Sequence, residues 1–266
     1  MPQAATKRLP FRERLARGGR AAIVGHRGAM GHCPENTLAS FERGLALGAD
    51  WIELDVHLSK DGAPVVIHDE TLERTTNGHG AVRDHTLAEL KALDAGAWFA
   101  PEYAGQRIPT LDEVLAWARG RDVVVDIEIK NAPIYYAGIE AAVVDALARH
   151  DMAERVIVIS FDHRAVQRVK ALEPGIATGV LYSGRPADGG VSLARQADAD
   201  AVLPHWNYVT ADDVAAVHAA GLHIAPWASS EAAILRRLID AGVDAVATDH
   251  PDVARDVLDA IAGARR

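Results

Sequence analysis

One cysteine, three methionines and an aromatic content of 5% are all that this 266-residue chain carries of those residue types. A lone Cys33 cannot form an intrachain disulfide, and a structural zinc site would have to rest mainly on histidines and carboxylates. A reducing, cytoplasmic setting is the expectation. Long hydrophobic runs are missing too: the apolar stretch from Ala21 to Gly25 is too short for a signal-peptide core or a membrane span, so no stable membrane anchor is expected. Positive charge is in deficit, with 28 Lys and Arg against 37 Asp and Glu and a formal net charge of -9, which disfavours a long nucleic-acid footprint. The exception is the N-terminus, where Lys7, Arg8, Arg12, Arg14, Arg17 and Arg20 read as a solvated basic extension over residues 1–20. What the chain does have is 49% hydrophobic and 24% charged residues, the balance of a soluble globular protein with an ample core.

Eight short runs rich in Val and Ile alternate with Ala-rich amphipathic stretches, the pattern of parallel strands covered by helices. The runs are Ala22 to Gly25, Trp51 to Val56, Val123 to Glu128, Val156 to Ser160, Ala177 to Leu181, Ala201 to Leu203, His223 to Trp227 and Ala245 to Thr248. This predicts an α/β fold, a (β/α)8 TIM barrel forming one domain over residues 1–266, with an open doubly wound sheet as the alternative. The alternation breaks after the second strand. Pro64 to Ile67 reads as a continuation of that strand, Leu87 to Leu93 and Leu111 to Ala118 as helices, and about 69–107 as a small insertion capping the barrel mouth.

Residues able to do chemistry gather at the ends of the early strands. In Glu53-Leu54-Asp55, a spacing of two on a strand turns both carboxylates to one face, where they can share a hard cation. Asp126-Ile127-Glu128-Ile129-Lys130 repeats the device, with Glu128 nearest the strand's exit. Such a set suits Mg2+, Ca2+ or Mn2+ better than zinc. His26 follows the first strand and His68 ends Val65-Val66-Ile67-His68, so the two can serve as a proton donor and a proton acceptor. Arg27 and Lys130 suit anionic substrate oxygens, and Lys130 has a second reading as counter-ion to Asp126 or Glu128. Trp227 reads either as an apolar wall of the site or as a buried aromatic closing the barrel. Asn36 reads as a helix N-cap, Cys33 as a small hydrophobe, and Trp98 with Phe99 as mouth lining or as the insertion's own core.

The ordered series H-R-G, P-E-N-T, E-L-D-V, K-D-G, V-I-H-D, R-T-T-N-G, I-P-T-L-D-E-V and E-I-K resembles the glycerophosphodiester phosphodiesterase family over about residues 22–255. Ser160-Phe161-Asp162, Gly242-Val243-Asp244 and Thr248-Asp249 also fit. The resemblance implies Glu53, Asp55 and Glu128 as ligands of one divalent cation, His26 and His68 as acid and base in either order, and Arg27 with Lys130 as phosphate contacts. It further implies a small glycerophosphodiester substrate cut to sn-glycerol 3-phosphate and an alcohol. The alternative within the same chemistry is a lysophospholipase D or a phospholipase-C-like activity, for which Trp98, Phe99 and Tyr103 are the only hint of an apolar rim. A phosphodiester-binding protein without turnover is disfavoured, because a binder has no need of paired proton carriers. One departure from the family is Ala228-Ser229-Ser230 after Trp227, where a polar residue, often asparagine, is common. His57 continues the inward face of Glu53 and Asp55 and reads as a structural neighbour of the site.

Overall fold

The computed structural model describes residues 20–264, so Lys7, Arg8, Arg12, Arg14 and Arg17 of the basic extension lie outside the described residues. Nine strands are described: β1 (Ala22–Gly25), β2 (Trp51–Leu58), β3 (Pro64–Val66), β4 (Val124–Ile129), β5 (Val156–Ser160), β6 (Ala177–Tyr182), β7 (Ala201–Pro204), β8 (His223–Ile224) and β9 (Ala245–Thr248). The helices among them are α1 (Leu38–Ala46), α2 (Leu87–Ala92), α3 (Leu111–Arg119), α4 (Ile139–His150), α5 (His163–Leu172), α6 (Val191–Ala197), α7 (Ala211–Ala219), α8 (Ala232–Ala241) and α9 (Pro251–Ala264).

Every strand except β3 joins one parallel ladder in the order β8-β7-β6-β5-β4-β2-β1-β9. The ladder's two ends meet. Asp244 N–H donates to Ile224 O (2.9 Å), Ala247 N–H to Pro226 O (3.2 Å) and Ser229 N–H to Ala247 O (3.1 Å). The sheet therefore closes into the (β/α)8 barrel, and an open doubly wound sheet is excluded. Strand β8 is shorter than the run His223 to Trp227 suggests because Pro226 has no N–H to give the ladder. The backbone stays extended past it, with Trp227 N–H bonded to Pro204 O at 3.0 Å.

The insertion begins differently from its expected course. Pro64 to Ile67 is not a continuation of the second strand: β2 runs on to Leu58, and β3 returns antiparallel to it, pairing Val56 with Val66 and Leu58 with Pro64. Between them Gly62 adopts φ 82°, and Ser59 N–H donates to Ala63 O at 2.9 Å. The hairpin carries the chain back over the barrel's end, where Ile67 N–H bonds Asp55 O at 3.1 Å. That delivers His68 beside the carboxylates of β2.

Inward positions divide the barrel. Trp51, Val124, Ile157, Ala177, Ala201 and Ala245 pack its floor. Above them, β2 and β4 turn carboxylates inward, with Glu53 paired in register to Asp126 and Asp55 to Glu128. Across the barrel the same level is apolar, with Ile159, Leu181, Leu203 and Ala225.

The loop after β1 is pinned against α1. Gly28 has φ 92°, and a Cβ there would lie 2.4 Å from Ser40 Oγ and 2.6 Å from Ser40 C. Ser40 Oγ meanwhile donates to Arg27 O (2.8 Å) and accepts from Ala29 N–H (2.9 Å). Gly28→Ala should therefore destabilise the fold by more than about 1 kcal/mol, seen as a lower urea midpoint, because both conformation and space forbid the methyl. An unchanged midpoint would contradict this packing.

Candidate active site

Three carboxylates meet at the C-terminal ends of β2 and β4. Glu53, Asp55 and Glu128 each present an oxygen within 4.8 Å of the others. Glu53 and Asp55 are buried, and Asp55 Oδ1 accepts no hydrogen bond. Arg27 N–H donates to Glu53 Oε2 (2.7 Å), Asn36 Nδ2 donates to Asp55 Oδ2 (2.8 Å), and Lys130 Nζ donates to Glu128 Oε1 (2.9 Å) while lying 3.4 Å from Asp55 Oδ1. Lys130 thus neutralises Glu128 and Asp55 at once, not Asp126. Burial and repulsion from Asp55 and Glu128 push the Glu53 carboxyl well above the usual carboxylate range. Burial likewise raises Glu128, against the pull of Lys130. Burial also opposes ionisation of Asp55, yet Lys130 and Arg27 together outweigh it and hold that carboxylate well below its ordinary range.

This cluster fits a divalent cation. Three carboxylates stand against two cationic side chains, one buried carboxylate oxygen accepts no hydrogen bond, and like charges crowd each other in a place where an uncompensated charge costs several kcal/mol. The donor set is all oxygen, which selects a hard ion.

Two histidine–aspartate pairs flank the cluster. His26 Nδ1 donates to Asp249 Oδ1 and His68 Nδ1 to Asp69 Oδ1, each at 2.7 Å. Bonding Nδ1–H to a carboxylate leaves Nε2 of each ring free for the site, able to accept a proton when the ring is neutral and to donate one when it is charged. Burial, with Lys130 and Arg27 nearby, lowers the pKa of His68 despite the opposing charge of Asp55. A salt-bridge chain ties these pieces together: Arg74 binds Asp69 (2.6 Å) and Glu35 (2.7 Å), and Glu35 accepts from Arg27 Nη1 (2.7 Å). His57 is buried behind, donating from Nε2 to His68 O and accepting from the Tyr136 hydroxyl, both at 2.9 Å.

Both histidines, Arg27, Lys130, Glu53 and Glu128 border one cavity of about 290 Å³. One wall carries His26, Arg27, Glu53, His68, Asp126, Glu128 and Lys130, while Ile159, Phe161, Leu181, Leu203 and Trp227 form the other. Every candidate site residue except Asp55 lines the cavity directly, and Asp55 lies beneath Lys130 and Arg27. Trp227 is a wall residue, its Nε1–H donating to Leu203 O at 3.0 Å.

Asn36 departs from its expected place. The N-cap of α1 is Thr37, whose side chain accepts from Ser40 N–H, and Asn36 sits at φ 57° with its amide turned to Asp55. Cys33 is buried as expected, in contact with the Tyr103 hydroxyl at 3.1 Å. Trp98, Phe99 and Tyr103 stack edge-to-face on one another and do not line the cavity. Sequence reasoning assigned no role to Asp69, Asp249, Glu35 and Arg74. Asp69 directly follows His68, Asp249 sits in the quoted Thr248-Asp249 pair, and the other two stand in P-E-N-T and R-T-T-N-G, so a signal was present for each.

Residues 26–253 match the Glycerophosphoryl diester phosphodiesterase family. The chain belongs to that family. A glycerophosphodiester phosphodiesterase of Caldanaerobacter subterraneus subsp. tengcongensis is 42% identical over 86% of this chain and 94% of its own length. One of Bacillus subtilis is 36% identical over 90% of this chain and 86% of its own. Among solved structures, an Oleispira antarctica phosphodiesterase in complex with the product sn-glycerol-3-phosphate superposes with a TM-score of 0.84 at 33% identity, covering 92% of this chain and 99% of that one. A glycerophosphoryl diester phosphodiesterase structure from Silicibacter pomeroyi gives a TM-score of 0.85 at 27% identity, covering 93% and 98%. This glycerophosphodiester phosphodiesterase family member is thus a phosphoric diester hydrolase on a TIM barrel. Among the described residues no helix is long and apolar enough to cross a membrane.

Proposed function

We propose that the enzyme hydrolyses glycerophosphodiesters to sn-glycerol 3-phosphate and a free alcohol, with His68 as base, His26 as acid and one divalent cation on Glu53, Asp55 and Glu128. The observation that carries this reading is the pair of His–Asp dyads flanking the carboxylate cluster at one end of a cavity whose opposite wall is apolar. The ion, Mg2+ or Ca2+ with Mn2+ as a further candidate, would supply charge neutralisation at a phosphate oxygen and make the attacking hydroxyl more acidic.

Arg27 and Lys130 hold the phosphate oxygens, the first as a fork and the second as a point charge. His68, whose pKa burial lowers, takes the proton of an attacking water as its oxygen bonds to phosphorus; where the neighbouring glycerol hydroxyl attacks instead, the first product is a cyclic glycerol phosphate that water then opens with the two histidines in exchanged roles. The bond from phosphorus to the leaving alcohol breaks, and His26, oriented by Asp249, returns a proton to that oxygen. Trp227 and Phe161 shelter the carbon skeleton on the far wall. The stretch 69–107 caps this end and supplies Arg74, which orients Asp69 behind His68.

A cavity of about 290 Å³ is at the small end of ligand pockets, and the aromatic stack of Trp98, Phe99 and Tyr103 offers it no apolar extension for an acyl chain. Glycerophosphocholine should therefore release sn-glycerol 3-phosphate at least about tenfold more efficiently than lysophosphatidylcholine releases lysophosphatidate, a difference of roughly 1.4 kcal/mol. Equal kcat/KM on the two would overturn the small-diester reading in favour of the lysophospholipase D alternative.

A further inference from the structure

A second group of metal-ligating side chains lies outside the catalytic cavity. His32, from the loop after β1, meets His250 and Asp252, from the junction of β9 and α9, and a donor atom from each lies within 4.8 Å of the others. His32 Nε2 stands 3.1 Å from Asp252 Oδ1 and 3.2 Å from His250 Nδ1. A tetrahedral ion with bonds of 2.0–2.1 Å sets its ligands about 3.4 Å apart, close to both separations.

His32 Nε2 carries either a proton or a lone pair, so it cannot donate to Asp252 and accept from His250 at once. If His250 instead donates to His32, the Asp252 carboxylate faces a lone pair. A cation in place of that proton satisfies all three atoms together.

The backbone is also shaped around the group. A Cβ on Gly31 would fall 2.3 Å from His250 Cε1, so only glycine admits the ring there. His32 is fixed by its N–H to Ala29 O (2.8 Å) and by the Tyr103 hydroxyl on its carbonyl (3.2 Å). Gly31 N–H reaches Asp249 O at 3.1 Å, next to His250 in the chain. The ligands are thus held by backbone on both sides before any ion arrives.

We propose that His32, His250 and Asp252 form a second metal site, selective for a borderline transition ion of the zinc class, which clips the first strand's loop to the last strand's end. Two imidazoles and one carboxylate choose Zn2+ or Co2+ over Mg2+ and Ca2+, the reverse of the all-oxygen cluster in the barrel. The site leaves a fourth position for water, since three protein ligands are present. Its location next to Asp249 means that occupancy stiffens the segment that orients His26.

The test is equilibrium dialysis of the full chain against Zn2+ with Mg2+ in large excess, run in parallel on wild type, His32→Ala and His250→Ala. Wild type should retain one more equivalent of zinc than either variant, while both variants keep Mg2+-supported turnover as evidence of folding. Stoichiometric Co2+ should give wild type the intense visible absorption of a four-coordinate site, lost in both variants. Equal zinc retention in all three chains overturns the proposal, as does the absence of that absorption from wild type, a result that needs no variant.

Discussion

Replacing His26 with alanine should lower turnover of glycerophosphocholine by about 10²–10⁴-fold with little change in KM. His26→Gln, which keeps a donor near Asp249, should fall as far, separating lost proton transfer from a stranded carboxylate. The loss should largely vanish on a diester whose alcohol leaves without protonation, such as a p-nitrophenyl ester, because the proton His26 supplies is no longer needed. His68→Ala should be impaired by a similar factor on both substrates, since the nucleophile must be deprotonated in either case. Rescue of His68→Ala and not of His26→Ala would reverse the two roles. Unimpaired turnover in both would remove the histidines from the chemistry.

The pH profile offers an independent check on the same assignment. His68 is held below the ordinary histidine pKa by burial, with Lys130 and Arg27 adding to the effect. A base must be neutral, so activity should persist as pH falls through about 6.5 and drop only below it. A bound divalent cation shifts His68 in the same direction. An acid limb of kcat/KM centred above 6.5 would count against His68 as the base.

Removing the cation should cost activity on the same scale as losing either histidine. In chelator, release of sn-glycerol 3-phosphate should drop by at least about 10³-fold, the equivalent of roughly 4 kcal/mol of lost transition-state stabilisation, and return on adding Mg2+ or Ca2+. Glu128→Gln, nearly the same in shape, should show most of this loss in the presence of the ion. A thermal measurement reads the same site without activity. Burial and mutual repulsion make Glu53 and Glu128 reluctant to ionise in the folded chain, so a divalent ion that relieves the repulsion should raise Tm in wild type and raise it less in Glu128→Gln. Full activity in chelator would sink the metal role outright.

Much of this was readable from the sequence, for reasons that differ by element. Strands buried on both faces read as unbroken Val and Ile runs, so β1, β5 and β9 fall where the pattern puts them. The E-x-D spacing makes the shared face of Glu53 and Asp55 a geometric necessity. The reversal at Gly62 was hidden because Pro64 to Ile67 is as apolar as the strand before it, although Asp61-Gly62 is itself a hairpin signal. Asn36 was misplaced because cap preference is a local rule, whereas its actual partner, Asp55, lies 19 residues away. The links from Asp249 to His26 and from Glu35 to Arg74 are longer still, spanning 223 and 39 residues, and depend on a closed barrel to bring them together.

The apolar wall has a consequence for how this enzyme can change. The wall residues Phe161, Leu181, Leu203 and Trp227 come from the ends of β5, β6 and β7 and from the segment after β8, whereas the ionic machinery comes from β1, β2, β3 and β4. Where substitutions on the two sides share no contact, their free-energy effects should add. On the proposed mechanism, selection can then retune which alcohol is accepted without disturbing His26 and His68, and a library confined to the wall is where altered head-group range should be sought first.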